Sequence, residues 1–246
     1  MLIDPGISTW DYLQPRTVLV RRHQLLELVV GLSFSIPGHI VEFGVADGGS
    51  TRVIRRAVSR NEKRFPREGR KKIFACDSFK GLPEAFENAA VGTFATTPPS
   101  IRGVQIVKGY FDESLTKELA AEVGKVSFAS LDADLYSSTL CALRWLTPLL
   151  GSGSLLLFDE FLGGDGSEKR AFDDWSQETG LKTIQIGEFV REPSGWGISL
   201  DRRALFQVVK DEPVSVIESR AEKLRHLLKG TPALYASAKW LYDRLR

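Results

Sequence analysis

The chain has 246 residues, of which 43% are hydrophobic and 26% are charged, and its formal net charge is +2. These values are typical of one soluble globular domain with a full apolar core. They exclude a strongly charged protein that would demand a polyanionic partner. No apolar run is long enough to span a membrane.

The N-terminal stretch lacks the features of a targeting segment. Residues 1–15 contain two prolines and a glycine, and they predict an arm rather than a core element. A basic start and a long apolar stretch are both missing, so we expect a cytoplasmic protein.

Cys76 and Cys141 are lone cysteines in apolar segments, which favours buried thiols over a disulfide or a zinc site. Apolar residues at near-helical spacing then predict a helix over residues 16–32.

The rest of the chain is organised around residues 40–51. They read Ile-Val-Glu-Phe-Gly-Val-Ala-Asp-Gly-Gly-Ser-Thr and predict a buried strand, a glycine turn and a helix capped by Ser50 and Thr51. Such a turn brings backbone N–H groups to a ligand at the electropositive start of a helix. Ala46 stands where a dinucleotide site has its second glycine, so an NAD-dependent oxidoreductase is disfavoured. The Glu42 carboxylate would repel a phosphate group and attract a cation, which favours a positively charged ligand at this turn.

A basic run follows the glycine turn. Residues 52–72 contain ten Lys or Arg and two Glu. This run could be a nucleic-acid patch, or it could be a solvated helix face followed by a surface loop. No aromatic stripe suggests base stacking, so the second interpretation is favoured.

The remaining pattern alternates strands and helices. It predicts strands over 72–76, 104–107, 126–131 and 154–158, helices over 114–122, 137–149 and 168–179, and shorter strands over 181–187, 197–201 and 204–210. Residues 85–103 predict a loop long enough to be a lid. Residues 213–246 predict helices, the last with an apolar side that would suit core packing or a subunit contact. The order predicts a mostly parallel α/β sheet, with ligands at the carboxyl ends of its strands.

Acidic residues follow the predicted strands at that edge. Asp77 ends the second strand, where an acid hydrogen-bonds the ribose of a bound nucleoside. Asp132 and Asp134 follow the fourth strand, and Asp159 and Glu160 follow the fifth. These two strands are neighbours in such a sheet, and oxygen ligands without His or Cys suit Mg²⁺ first. Asp134 and Glu160 could instead be ordinary helix-start and surface acids.

Four ordered motifs carry a resemblance to a known family. Residues 36–50, 77–84, 131–139 and 158–161 resemble the macrocin O-methyltransferases, over about residues 36–175. That family methylates sugar hydroxyls on antibiotics. The resemblance implies a Rossmann-like class I methyltransferase over residues 1–246, with an arm and helix over 1–35. It implies a mostly parallel seven-stranded sheet with an antiparallel edge hairpin and helices on both faces.

The resemblance also implies roles for individual residues. S-adenosylmethionine would be held by Glu42, Gly44, Gly48, Gly49, Ser50, Thr51, Asp77, Ser78, Tyr110 and Asp132. Mg²⁺ would be bound by Asp132, Asp159 and Glu160, and Asp134 would be the catalytic base. The family usually has Asp-Asp where this chain has Asp159-Glu160, so the third ligand is one methylene longer. We expect a small hydroxylated acceptor and a homodimer or larger assembly.

Two other functions stay open at this point. An RNA methyltransferase would use the same cofactor fold and the basic run over residues 52–72. Amino-directed enzymes of that kind usually carry Asn or Asp-Pro-Pro-Tyr after the fourth strand, and this chain has Asp-Ala-Asp-Leu-Tyr there. A non-catalytic cofactor-binding protein is the other alternative, and the intact set of acids argues against it.

Overall fold

The computed structural model describes residues 17–19, 22–86, 88–162, 166–190 and 202–210. The strands are β1 (Thr17–Leu19), β2 (His39–Phe43), β3 (Ile73–Asp77), β4 (Gln105–Lys108), β5 (Val126–Leu131), β6 (Leu150–Leu162), β7 (Lys182–Val190) and β8 (Arg202–Val209). The helices are α1 (Arg22–Ser33), α2 (Gly49–Arg64), α3 (Phe111–Ser114), α4 (Lys117–Val123), α5 (Tyr136–Leu146) and α6 (Ser167–Thr179).

These strands form one sheet in the order β1-β7-β8-β6-β5-β2-β3-β4. β8 runs antiparallel to both β6 and β7, and the other paired strands are parallel. The predicted class is therefore confirmed, including the antiparallel hairpin. β1 adds an eighth strand beside β7, with Thr17 opposite Glu188. The helix predicted over 16–32 is described from Arg22 onward, and Thr17–Leu19 of the predicted range form a strand instead.

The core lies on both faces of the sheet. Along β6, Leu155 and Leu157 pack with α1 and α2, whereas Leu156 and Phe158 pack with α5 and α6. Successive side chains of a strand point to opposite faces, so a strand covered on both sides must be apolar throughout. The predicted helices on both faces are confirmed, and the carboxyl ends of β2, β3 and β5 are held at one edge.

Several local predictions differ from the structure. Gly48, in the left-handed region with φ 82°, is the N-cap residue of α2, and the Asp47 side chain before it accepts a 3.0 Å hydrogen bond from the Gly49 amide. Ser50 and Thr51 therefore lie within its first turn, and their predicted capping role was wrong. The helix predicted over 114–122 is split into α3 and α4, because Thr116 caps α4 by accepting a hydrogen bond from the Leu119 amide.

Some predictions fall outside the described residues. These are the arm over 1–15, the strand over 197–201 and the helices over 213–246. In the ranges that are described, every helix is too short or too polar to cross a bilayer. Cys76 is a buried free thiol and Cys141 is a partly buried one, as the sequence predicts.

The basic run is partly used by the fold itself. The Lys71 ammonium group donates hydrogen bonds to the carbonyl oxygens of Ile36 and Gly38 and to the Ser127 hydroxyl. Arg60 forms an ion pair with Glu27 at 2.6 Å. These contacts support a structural interpretation of the run, because cations held by the fold are less available to a phosphate backbone.

Candidate active site

The glycine turn after β2 depends on a close approach of backbones. Gly44 has φ 84°, and a Cβ atom there would lie 1.8 Å from the carbonyl oxygen of Asp132. Next to it, the Asp132 amide donates a 3.0 Å hydrogen bond to the carbonyl oxygen of Phe43. Only glycine combines this φ with the absence of a Cβ. The turn therefore brings the ends of β2 and β5 into direct contact.

Asp77 at the end of β3 holds the turn in place. Its Oδ2 accepts hydrogen bonds from the amides of Val45 (2.8 Å) and Ala46 (2.9 Å), and its Oδ1 accepts one from Phe79 (2.7 Å). Ala46 has φ 47°, a conformation that costs energy for a residue with a Cβ. Asp77 thus stabilises a strained turn. A carboxylate can accept about four hydrogen bonds, so capacity for a ribose hydroxyl remains.

A cavity of about 420 Å³ opens beside this turn. Its size suits a ligand of nucleoside dimensions. Eight of the predicted site residues line it: Gly44, Gly49, Ser50, Asp77, Ser78, Tyr110, Asp132 and Asp134. Phe94, from the segment predicted as a lid, also lines it. Pro99 and Ile101 of the same segment lie against Gly48 and so cover the turn from outside.

Five predicted site residues do not line this cavity: Glu42, Gly48, Thr51, Asp159 and Glu160. Glu42 is fully buried behind the turn, and neither of its carboxylate oxygens has a well-formed hydrogen bond to the described residues. Burial raises its pKa to about 6, although the nearby hydroxyls of Ser50 and Thr51 and the charge of Arg22 oppose the shift. A buried, poorly satisfied carboxylate suits an ammonium group, which is the charge that S-adenosylmethionine would bring.

The raised pKa of Glu42 gives a testable pH dependence. Its folded-state pKa is about 6 against an ordinary value of 4.5, so the folded protein holds a proton that the unfolded chain has lost. Stability therefore falls as pH rises through this window, by about 2 kcal/mol. We expect Glu42→Gln to remove most of this pH-dependent loss, measured by urea unfolding at both ends of the window. Glu84→Gln, at an exposed position, is the control, and an unchanged pH slope in Glu42→Gln would contradict the assignment.

Two arginines join the predicted acids. Arg22, at the start of α1, donates a short hydrogen bond to Asp132, and its Nε lies 3.5 Å from Oδ1 of Asp159. Arg203 of β8 is almost fully buried and contacts both carboxylate oxygens of Asp159. Neither arginine was identified from the sequence. Arg22 lies within the helix predicted over 16–32, and Arg203 directly precedes the strand predicted over 204–210, so neither position carried a signal of its own.

Glu168 is a further acid that the sequence did not indicate as part of the site. It lies in the first turn of α6 and is buried. Its Oε2 accepts a 3.0 Å hydrogen bond from the amide of Glu160, and its Oε1 accepts a 3.4 Å one from Ala133. Burial first, and then Asp132, raise its pKa well above the ordinary value. Glu168 therefore links the chain after β5 to β6.

The arrangement does not fit the predicted metal ion. Asp132 and Asp159 are paired with arginines, and no group of three or more His, Cys, Asp or Glu within the described ranges is placed to hold a metal. Burial and Asp159 raise the pKa of Asp132, whereas Arg22 opposes that shift. The positive charge beside Asp132 and Asp159 is therefore supplied by guanidinium groups.

Asp134 occupies a strained turn on the wall of the cavity. Its φ is 56°, in the left-handed region. The turn closes tightly, since the amide of Leu135 donates a 2.5 Å hydrogen bond to the carbonyl oxygen of Ala133. Asp and Asn tolerate this conformation better than most residues, and such outliers cluster at functional sites. The backbone thus places a carboxylate beside the predicted cofactor turn.

The sheet order, the glycine turn and the acid-lined cavity are those of the Rossmann-like methyltransferase fold. Residues 41–161 match the family model described as a methyltransferase domain. This match covers just under half of the chain and agrees with the fold described above.

Two curated relatives match about half of the chain. One, from Streptomyces olivaceus, is 8-demethyl-8-(2,3-dimethoxy-alpha-L-rhamnosyl)-tetracenomycin-C 4'-O-methyltransferase, 30% identical over 53% of this chain and 55% of its own. The other, from Streptomyces niveus, is demethyldecarbamoylnovobiocin O-methyltransferase, 24% identical over 56% of this chain and 58% of its own. The chain thus spans somewhat more than half the length of these relatives.

Two solved structures share the fold. The O-methyltransferase NovP superimposes with a TM-score of 0.56 at 20% identity, over 77% of this chain and 80% of that one. The calicheamicin methyltransferase CalS11 superimposes with a TM-score of 0.53 at 20% identity, over 76% and 80%. At this identity the likeness establishes the fold, and it agrees with the strand order described above.

Proposed function

We propose that this chain is an S-adenosylmethionine-dependent O-methyltransferase, related to the macrocin group, that acts on a hydroxyl of a sugar or natural-product acceptor. The observation that carries the proposal is a single cavity lined by residues of the glycine turn, by Asp77 and by the strained Asp134. The curated relatives support it, because both are named as O-methyltransferases, one of a rhamnosyl-tetracenomycin and the other of demethyldecarbamoylnovobiocin.

The residues around the turn fit the cofactor. Asp77 would accept hydrogen bonds from the ribose hydroxyls, and the amides at the start of α2 would face the methionine end. Tyr110 would flank the adenine, and its ring already carries the Lys80 ammonium group 5.3 Å from its centroid. When bound, S-adenosylmethionine supplies an electrophilic methyl group on a sulfonium. The carboxylates of this edge suit that positive charge.

Asp134 would act as the general base. An alcohol is a weak nucleophile while protonated, so a carboxylate within reach of the acceptor hydroxyl must take its proton as the oxygen attacks. Asp134 lines the same cavity as Asp77 and Tyr110, so an acceptor bound there beside the cofactor would be within its reach. Phe94, which is 64% exposed, would cover the acceptor from the predicted lid.

The cation and the assembly remain predictions from the resemblance. Mg²⁺ at Asp132, Asp159 and Glu160 enters no step here, because arginines engage the first two acids. A homodimer would use the apolar side of the segment over residues 213–246, which lies outside the described residues. The glycoside nature of the acceptor likewise rests on the relatives and not on a contact of this cavity.

Cofactor binding is tested through Asp77. We expect Asp77→Ala to weaken S-adenosylmethionine binding by about 10- to 100-fold, because a charged acceptor is lost and the amides of Val45 and Ala46 lose their partner. Isothermal titration calorimetry measures this affinity. The affinity of Asp77→Asn is expected to lie between those of Asp77→Ala and the wild type. Tight binding of NAD, with none of the methyl donor, would overturn the proposal.

Catalysis is tested separately from binding. A panel of hydroxylated glycosides and catechols, with labelled S-adenosylmethionine, should yield a methylated product that is absent without enzyme. Binding of the cofactor with no transfer to any acceptor would favour the non-catalytic alternative. Transfer to RNA with a strong salt dependence would favour the nucleic-acid alternative.

A further inference from the structure

We infer that the guanidinium group of Arg22 holds the position between Asp132 and Asp159 that a divalent cation would need, so that this centre works without a metal. The inference rests on the proposed function in one respect, since it takes this carboxylate pair to belong to the methyl-transfer centre. It departs from the metal-dependent chemistry that the resemblance implies.

The contacts of Arg22 join the two predicted ligands directly. Its Nη2 donates to Oδ2 of Asp132, and its Nε lies 3.5 Å from Oδ1 of Asp159. A single guanidinium group therefore bridges Asp132, which directly follows β5, and Asp159 within β6. A cation bound by both acids would have to enter the same gap, so the arginine and the ion exclude each other.

Arg203 is a second cation beside Asp159. It approaches Asp159 through Nε and Nη2, the latter 3.5 Å from Oδ2, and its side chain is only 3% exposed. Asp132 and Asp159 are thus each paired with a guanidinium group. A divalent ion between the two carboxylates would have to break the contacts of Arg22 with both of them. Arg203 is fixed in β8, so Arg22 is the residue that an ion would have to displace.

Glu160, the third predicted ligand, is held through its backbone amide. The amide of Glu160 donates to the buried carboxylate of Glu168 at 3.0 Å, which ties this part of β6 to α6. Within the ranges that the structure describes, no group of three or more His, Cys, Asp or Glu side chains is placed to hold a metal ion. The three predicted ligands therefore do not form a ready-made ion site.

Arg22 is placed to serve the reaction as well as the fold. It lines the cavity together with Asp132 and Asp134, and its side chain is 37% exposed. A guanidinium group has five N–H donors, and contacts with two carboxylates use only part of them. Arg22 can therefore donate to an acceptor oxygen and stabilise the negative charge that develops there, which is the role a metal would have.

Binding of Mn²⁺ alone tests the inference. Electron paramagnetic resonance counts free and bound Mn²⁺ for the wild type, Arg22→Ala and the control Arg60→Ala, whose arginine pairs with Glu27 on the surface. We expect wild type and control to bind no ion at this site. Arg22→Ala should bind one ion at least about tenfold more tightly, because the competing cation is gone. Adding Asp132→Asn to Arg22→Ala should abolish that binding.

Two results would overturn the inference. One is a wild type that binds one Mn²⁺ as tightly as Arg22→Ala does, and the other is no binding by either protein. Arg22→Gln serves in place of Arg22→Ala if the latter fails to fold by circular dichroism. Because Mn²⁺ binding needs neither cofactor nor acceptor, these measurements test the inference even if no methyl transfer is found. Where transfer is found, wild-type turnover should survive excess EDTA.

Discussion

Asp134→Asn is expected to lower kcat for methyl transfer by about 10²- to 10⁴-fold, the usual contribution of a general base. The amide has the size of the carboxylate but cannot take the acceptor proton. Asn also tolerates the left-handed φ of 56° at this position, so the turn and the fold should survive. Cofactor affinity should stay close to that of the wild type, measured by calorimetry beside steady-state kinetics.

The matched control for this variant is Asp173→Asn. Asp173 is an exposed acid of α6 that pairs with Lys169, and it lies outside the cavity. Asp173→Asn makes the same chemical change as Asp134→Asn, and we expect it to leave kcat unchanged. A pH profile of kcat adds a second measurement, because loss of the base should remove the acidic limb. Wild-type kcat in Asp134→Asn would show that the acid only shapes the cavity.

Gly44→Ala is expected to destabilise the domain by about 3 kcal/mol or more, through overpacking and backbone strain together. The added Cβ would lie 1.8 Å from the carbonyl oxygen of Asp132, where backbone and not a flexible side chain must move. The change would push β2 away from β5 at the point where the site is built. Urea unfolding measures the loss, and cofactor binding should fall with it.

Gly180→Ala separates the two causes. Gly180 also has a left-handed φ, of 63°, yet a Cβ there would meet nothing within 4 Å. Its substitution should therefore cost only the conformational part, about 1 kcal/mol. Equal losses in Gly44→Ala and Gly180→Ala would mean that the contact between β2 and β5 is not what Gly44 protects.

The sequence by itself determined the local elements of this protein. β5 was predicted with its observed bounds, Val126–Leu131, because an apolar run between a glycine and an acid leaves little choice. The glycine turn and the acids at the strand ends were likewise readable, since turn chemistry and periodicity act over a few residues. The mostly parallel sheet followed from the alternation of these elements.

Only the tertiary structure decided what those acids touch. Arg22 reaches Asp132 across 110 residues of sequence, and Arg203 reaches Asp159 across 44. β8 is placed beside β6 by sheet topology, and α1 is placed over its face by packing, so neither contact has a local signature. The sequence could therefore predict a cluster of carboxylates at this edge. The charge that neutralises it was set by residues that the fold brings from both ends of the described chain.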